Sequence, residues 1–202
     1  MSRQLPQAAI SPKLIEKLVS QVKDRSSVLE FGCVSGLFAL VLLRKRKHVA
    51  YLGVETRRRD IKGAKKLLFS EPLVQKNRNS FDFYHGRMYS IPFIGSLASY
   101  DYVFFFESLS HLSHDPIRRI INRDPVEDVV RCIKPVLNKG GALFIIEPMA
   151  SSSGRRKLDR DKLARCLEDY GFRVEVNEPA SSWANDQSAE ARRHFVIKAV
   201  LK

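Results

Sequence analysis

Apolar residues fall along the chain in short blocks of two alternating kinds. The first kind is brief and rich in β-branched or aromatic residues: Val28 to Phe31, Val49 to Glu55, Phe81 to Gly86, Tyr100 to Glu107 and Ala142 to Ile146. Runs of this length, bounded by turn residues, predict buried strands. The second kind repeats its apolar positions every three or four residues. Leu14, Ile15, Leu18, Val19 and Val22 follow Ser11-Pro12, a serine cap with proline at the first helical position. Leu37 to Leu43 predicts a mostly buried helix closed by Arg44 to Lys47, and Ile61, Ala64, Leu67 and Leu68 mark a helix over 60–69. Glu71-Pro72 reads as its breaker, and 74–79 as a polar loop. Asp124-Pro125-Val126-Glu127 has the form of a capping box. It starts a helix through Val129, Val130, Ile133, Val136 and Leu137, ended by Lys139-Gly140-Gly141. Asp159 to Tyr170 is the last helix, stopped by Gly171, and Phe172 to Val176 and His194 to Leu201 are closing strands joined by a polar loop around Trp183. Residues 111–123 read as loop with some helix, and 151–157 as a basic loop.

Strands alternating with helices through five units predict a three-layer α/β/α sandwich around a mainly parallel, seven-stranded sheet. No helix separates the last two strands, so the final strand is expected to be antiparallel. The 202 residues suit a single domain, with 1–26 as an N-terminal helical extension and 27–202 as the core. The apolar run Leu37 to Leu43 is far shorter than the about 20 residues that span a bilayer, and no signal-peptide core is expected at the N-terminus. The three cysteines, Cys33, Cys132 and Cys166, are odd in number and scattered. That pattern argues against a disulfide framework or a zinc site and for a reducing, cytoplasmic setting. The lack of acidic residues before Glu16 is shared with organellar import segments.

Charge changes this picture. The chain carries a formal net charge of +13, with basic clusters at Arg44 to Lys47, Arg57 to Arg59, Arg118-Arg119 and Arg155 to Lys157. A surplus of this size suits RNA or another polyanion. Aromatic residues are not interleaved with the clusters, so they supply electrostatic affinity rather than a base-stacking platform.

The candidate chemistry centres on Glu30-Phe31-Gly32-Cys33-Val34-Ser35-Gly36, a turn with two glycines between the first strand and the second helix. In doubly wound folds this turn is where a nucleotide-like ligand meets the backbone. Alone the pattern is unspecific, and it lacks the full G-x-G-x-x-G that cradles a pyrophosphate.

The motifs downstream, taken in order, resemble those of class I S-adenosylmethionine-dependent methyltransferases over Val28 to Lys202. Glu30 to Gly36 looks like the family's first motif. Glu55 ends the second strand, where the family carries the acid that holds the ribose hydroxyls. Gly86 to Phe93 resembles the segment lining the adenine, Tyr100 to Leu112 the fourth-strand motif beside the methyl group, and Val136 to Pro148 the entry to the fifth strand. Gly171-Phe172 matches the start of the sixth. The resemblance implies S-adenosylmethionine as cofactor, with Glu30, Gly32, Cys33, Gly36, Glu55, Arg87, Met88 and Phe106 around it. Glu30 would contact the amino-acid end of the cofactor or pair with the N-terminal helix. Glu107 and His111 are the candidate catalytic residues, ahead of His114.

Three positions depart from the family pattern. Val34 replaces the middle glycine, Arg87 a common acid near the adenine, and Phe106 a position that is often polar. Glu107-Ser108-Leu109-Ser110-His111 is similar to the metal-binding Glu-x-x-Glu-His run of small-RNA 2′-O-methyltransferases. Ser110 removes one hard oxygen ligand from that run, so no metal is expected. Methyl transfer to RNA or another anionic acceptor is the leading expectation. The alternatives are a small-molecule methyltransferase and a silent methyltransferase fold that binds nucleic acid or a protein.

Overall fold

A computed structural model describes residues 10–86, 99–109, 125–149 and 159–202. Its elements are α1 (Pro12–Gln21), β1 (Ser27–Phe31), α2 (Leu37–Lys45), β2 (Ala50–Glu55), α3 (Arg58–Phe69), α4 (Pro72–Lys76), β3 (Ser80–His85) and β4 (Tyr100–Phe106). Then follow α5 (Pro125–Ile133), β5 (Leu137–Pro148), α6 (Arg160–Asp169), β6 (Phe172–Pro179), α7 (Ala180–Trp183), α8 (Ala189–Arg192) and β7 (His194–Leu201).

One seven-stranded sheet runs in the order β3-β2-β1-β4-β5-β7-β6. The pairs from β3 through β5 are parallel, and β7 lies antiparallel between β5 and β6. Alternation along each strand splits the core in two. Leu29, Phe31, Val103, Phe105, Leu143 and Ile145 pack under α5 and α6. Val28, Phe104, Phe106, Phe144 and Ile146 pack on the other face with α1, α2 and α3. The three-layer sandwich expected from the sequence is therefore present.

Caps explain several boundaries. The Ser11 hydroxyl accepts from the Leu14 N–H at 3.1 Å to open α1, and the Asp159 carboxylate accepts from the Lys162 N–H at 2.9 Å to open α6. Two expectations fail here. The helix over 60–69 does end at Phe69, before Glu71-Pro72, but the segment after it is not all loop: Pro72 opens α4 from the first turn, with Glu71 as its cap. Proline lacks only an N–H that is unpaired at that position anyway. Likewise, Gly140-Gly141 lies inside β5 rather than ending a helix, because α5 stops at Ile133 and a 3-10 turn over Lys134–Val136 leads straight into the strand. The polar loop around Trp183 carries the two short helices α7 and α8. The ambiguous stretch 111–123 and the basic loop 151–157 lie outside the described residues.

The strand order reverses direction between β1 and β4, which makes that gap the topological switch point where ligands of open α/β sheets bind. Phe104, fully buried on β4, supports the gap from below. Its ring stacks on Phe144 at 4.8 Å and meets Phe38 of α2 at 4.6 Å. Truncation of such a ring leaves a cavity and costs about 3–5 kcal/mol. Phe104→Ala should therefore lower the stability measured by urea unfolding by that amount. A loss under about 1 kcal/mol would show that the stack is not a packed core.

Candidate functional site

The turn after β1 is shaped by close backbone approach. Gly32 has φ +79 and Gly36 φ +74, a region that L side chains avoid. A Cβ on Gly32 would stand 2.8 Å from the Phe106 carbonyl oxygen of β4, and one on Gly36 would stand 2.8 Å from the Cβ of Ala64 in α3. The glycines thus let the turn sit against β4 on one side and α3 on the other. Between them, Val34 adopts φ +40 with 39% of its surface exposed. A left-handed backbone costs an L residue about 1–2 kcal/mol, so the substituted glycine position keeps the glycine conformation at the expense of strain.

Glu55 holds that conformation in place. Its carboxylate, only 6% exposed at the end of β2, accepts the Val34 N–H at 3.1 Å on Oε2. Oε1 accepts the Thr56 N–H at 2.8 Å, the Thr56 hydroxyl at 3.0 Å and the Arg57 N–H at 3.0 Å. Oε1 thus carries three donors and Oε2 one, which leaves Oε2 a lone-pair position to accept another. The acid expected from the sequence at the end of the second strand is therefore next to the turn, with one oxygen crowded and the other able to take a further donor.

Glu30 and Cys33 lie beneath the turn. Glu30 is 2% exposed, and its carboxyl accepts a hydrogen bond from the Tyr51 hydroxyl of β2, not from the N-terminal helix. Burial pushes this carboxyl up to about 8, against the opposing Tyr51 bond and with help from the charge on Glu55. Glu30 is thereby pushed toward its neutral form. Cys33 is buried, and burial followed by the charges of Glu30 and Glu55 pushes its thiol up, so it stays protonated and unreactive.

The far side of the gap is formed by the end of β4. Phe106 is buried against Phe38 and Phe104, and its contribution toward the turn is its carbonyl. Glu107 follows with φ +46, and its N–H donates to the Ile146 carbonyl at 2.9 Å. Ser108 Oγ is buried beside Gly32 with no hydrogen-bond partner among the described residues. Glu147 of β5, fully buried, accepts the Leu109 N–H at 2.7 Å. His194, 4% exposed at the start of β7, has Nδ1 2.6 Å from the Glu190 carbonyl and Nε2 2.7 Å from Glu107 Oε1.

The structure thus gathers Glu30, Gly32, Cys33, Gly36, Glu55, Phe106 and Glu107 around the switch point. Arg87, Met88, His111 and His114 lie outside the described residues. Sequence reading missed Tyr51, Ser108, Glu147 and His194. For His194 the only available signal was its place at the start of the last strand, and the register that pairs it with Pro148 is a long-range fact.

Residues 1–160 match the family described as a methyltransferase domain. The chain belongs to the methyltransferase-domain family. No curated protein matches. Among solved structures, an S-adenosylmethionine-dependent methyltransferase from Aquifex aeolicus superposes with a TM-score of 0.65 at 17% identity, over 95% of this chain and 94% of that one. A glycopeptide N-methyltransferase complexed with sinefungin gives 0.66 at 14% identity, over 99% and 90%. The magnesium protoporphyrin IX methyltransferase of Synechocystis, with S-adenosylmethionine bound, gives 0.59 at 15% identity, over 94% and 76%. At such identities these likenesses establish the methyltransferase fold.

Two outcomes follow from the turn of this methyltransferase domain. Val34→Gly should be neutral to stabilising by up to about 1 kcal/mol, because the relieved strain exceeds the about 0.5–1 kcal/mol entropic cost of glycine. Chemical denaturation reads this directly, and a clear destabilisation would mean that the valine side chain packs usefully. For Glu30, the folded carboxyl titrates near 8 and the unfolded one at 4.5. The unfolded chain therefore releases its proton first as pH rises, and Glu30's contribution, complete below 4.5, is lost progressively up to about 8. Glu30→Gln should remove that part of the decline, so its stability should fall less than the wild type's between pH 5 and pH 8.

Proposed function

We propose that the chain is an active S-adenosylmethionine-dependent methyltransferase whose acceptor is RNA or another anionic molecule. The observation that carries the activity is the buried Glu55 carboxylate at the lip of the glycine turn, across the switch point from the unpartnered Ser108 hydroxyl. Gly32, Gly36 and Glu55 are the residues that would hold the cofactor, with Ser108 Oγ available as a further polar partner. The fit is chemical: a carboxylate accepts from both hydroxyls of a ribose, and such charge-assisted bonds are strong. Ribose would take the place of a donor on Glu55 Oε1, the Thr56 hydroxyl being the one there that is not turn backbone, and add one on Oε2 beside the Val34 N–H. When bound, the cofactor supplies an electrophilic methyl group on a positive sulfur. The chain's own work is then to place an acceptor in line and exclude water.

Support for an anionic acceptor comes from charge placed in space. An open cleft of about 650 Å³ is lined by Arg131, Lys134, Lys139 and Lys202 with Tyr170 among them. Arg131 is held by Glu127 at 2.7 Å and by the Tyr170 hydroxyl at 2.6 Å. No exposed large apolar side chain lines the cleft, and among the described residues no helix is long and apolar enough to cross a membrane. Four cations on one open surface suit a phosphodiester backbone. Arg57 and Arg59, with side chains 57% and 88% exposed, add cations beside the turn itself.

A silent fold is the second reading, favoured by the strained Val34 and by the three donors already on Glu55 Oε1. Calorimetric titration with S-adenosylhomocysteine separates the two. Micromolar or tighter binding is expected, abolished by Glu55→Ala, whereas no heat with a folded wild type would leave the silent fold. For the acceptor, fluorescence anisotropy with a labelled single-stranded RNA should show binding that falls steeply with salt. Lys134→Glu with Lys139→Glu should weaken it, and a salt-insensitive or undetectable interaction would point to a small-molecule acceptor.

A further inference from the structure

The inference concerns His194, and it rests on the methyltransferase reading above. Both ring nitrogens face oxygen acceptors: Nδ1 the Glu190 backbone carbonyl at 2.6 Å, and Nε2 the Glu107 carboxylate at 2.7 Å. A carbonyl offers no proton. Nδ1 must donate to it, which leaves Nε2 to Glu107, and a ring protonated on both nitrogens would donate to that carboxylate. The ring is 4% exposed, so this is a built contact and not a surface encounter.

The rest of the neighbourhood favours the same state. The charged groups facing the ring are Glu107 at the end of β4 and Glu147 at the end of β5, while Glu190 of α8 faces it with its carbonyl. Burial works against the ring's charge, but these hydrogen bonds and carboxylates outweigh it and raise His194 above the ordinary histidine value of 6.5. Glu107 itself is bent into a left-handed backbone whose N–H is tied to β5. Its side chain is 34% exposed, and its second carboxylate oxygen has no partner among the described residues. It flanks the residue, Ser108, that packs on Gly32.

We propose that His194 is a positioning residue that holds Glu107 fixed at the end of β4, leaving the second carboxylate oxygen of Glu107 to take the proton of the methyl acceptor. The acceptor is then a group with an N–H or O–H to lose. Its bond to hydrogen breaks, the proton forms an O–H bond at Glu107, and the electron pair left behind bonds the methyl group, whose bond to sulfur would break with its electrons kept by the departing S-adenosylhomocysteine. Solvent recovers that proton through the exposed side of the carboxyl. When His194 is deprotonated, its Nε2 lone pair faces the carboxylate oxygen instead of donating to it, and Glu107 loses its anchor.

The test starts with nuclear magnetic resonance on full-length protein labelled with ¹⁵N-histidine. Expected at pH 7 are two protonated ring nitrogens on His194, titrating above 6.5 and shifted downward in Glu107→Gln. A single protonated nitrogen at pH 7, or a titration indifferent to Glu107→Gln, overturns the proposal. The second readout is transfer of tritiated methyl from S-adenosylmethionine to RNA and protein fractions as a function of pH. Wild-type kcat should fall as pH rises through the His194 titration. His194→Gln can still donate to Glu107 but cannot titrate, so it should keep part of the activity, lose that basic limb and leave KM for the cofactor unchanged. Glu107→Gln should lower kcat by about 100-fold or more, the scale of a lost proton acceptor. A basic limb that persists in His194→Gln overturns the proposal, as does a wild type that binds S-adenosylhomocysteine yet methylates nothing. Failure to bind S-adenosylhomocysteine at all is instead a failure of the underlying methyltransferase reading.

Discussion

Everything at the switch point depends on one carboxylate. Glu55 ties the turn after β1, through the Val34 N–H, to the start of α3, through the Thr56 and Arg57 amides. The turn needs this tie because Val34 lies in a region where a β-branched residue is strained. A glycine there would relax on its own. The same substitution that makes the turn look defective as a sequence therefore makes Glu55 structural as well as ligand-facing. On the proposed function, a ribose at this carboxylate would exchange hydrogen bonds on Oε1 and add one on Oε2. Each exchange would lower the net gain, since a new bond is offset by one given up.

The two halves of the site were legible to different degrees because they are built by different means. The cofactor half is made of near neighbours in sequence: the turn 32–36 and the end of β2 that pairs beside it. Spacing and residue type are enough to place Gly32, Gly36 and Glu55 at one turn, since a left-handed backbone and an acid at a strand end are local features. The other half is assembled from β4, β5 and β7 by register. Glu107 and His194 meet only because β7 runs antiparallel to β5 and starts beside Pro148. Nothing local to His194 announces that partner. Glu30 is intermediate: its position was readable, but its Tyr51-bonded state, pushed toward neutral, depends on burial that no motif reports.

The misread boundaries have a similar origin. Pro72 and Gly140-Gly141 are strong punctuation, and each carries two meanings. Proline ends one helix or begins the next, and here the Glu71 cap decides for the beginning. Glycines end helices, but they also occur in strands where backbones approach. A Cβ on Gly141 would stand 2.8 Å from the Asn138 carbonyl oxygen and 3.1 Å from that of Asp101. Tertiary contact, not local propensity, settles both cases.

Charge and geometry bear jointly on the size of the acceptor. The basic cleft lies by Lys139, at the start of β5, while Glu147, near its end, packs beside the switch point. The eight residue-to-residue steps from one position to the other span about 26 Å of extended strand. A small molecule held by the cleft could not reach Glu107, and one held at Glu107 would gain nothing from the cleft's cations except long-range attraction, screened beyond about 10 Å. Under the proposed function, a chain of phosphates long enough to run along the domain would use both. On that proposal the distance, and not the charge alone, is what distinguishes a polymeric acceptor from a small anion, independently of which atom receives the methyl group.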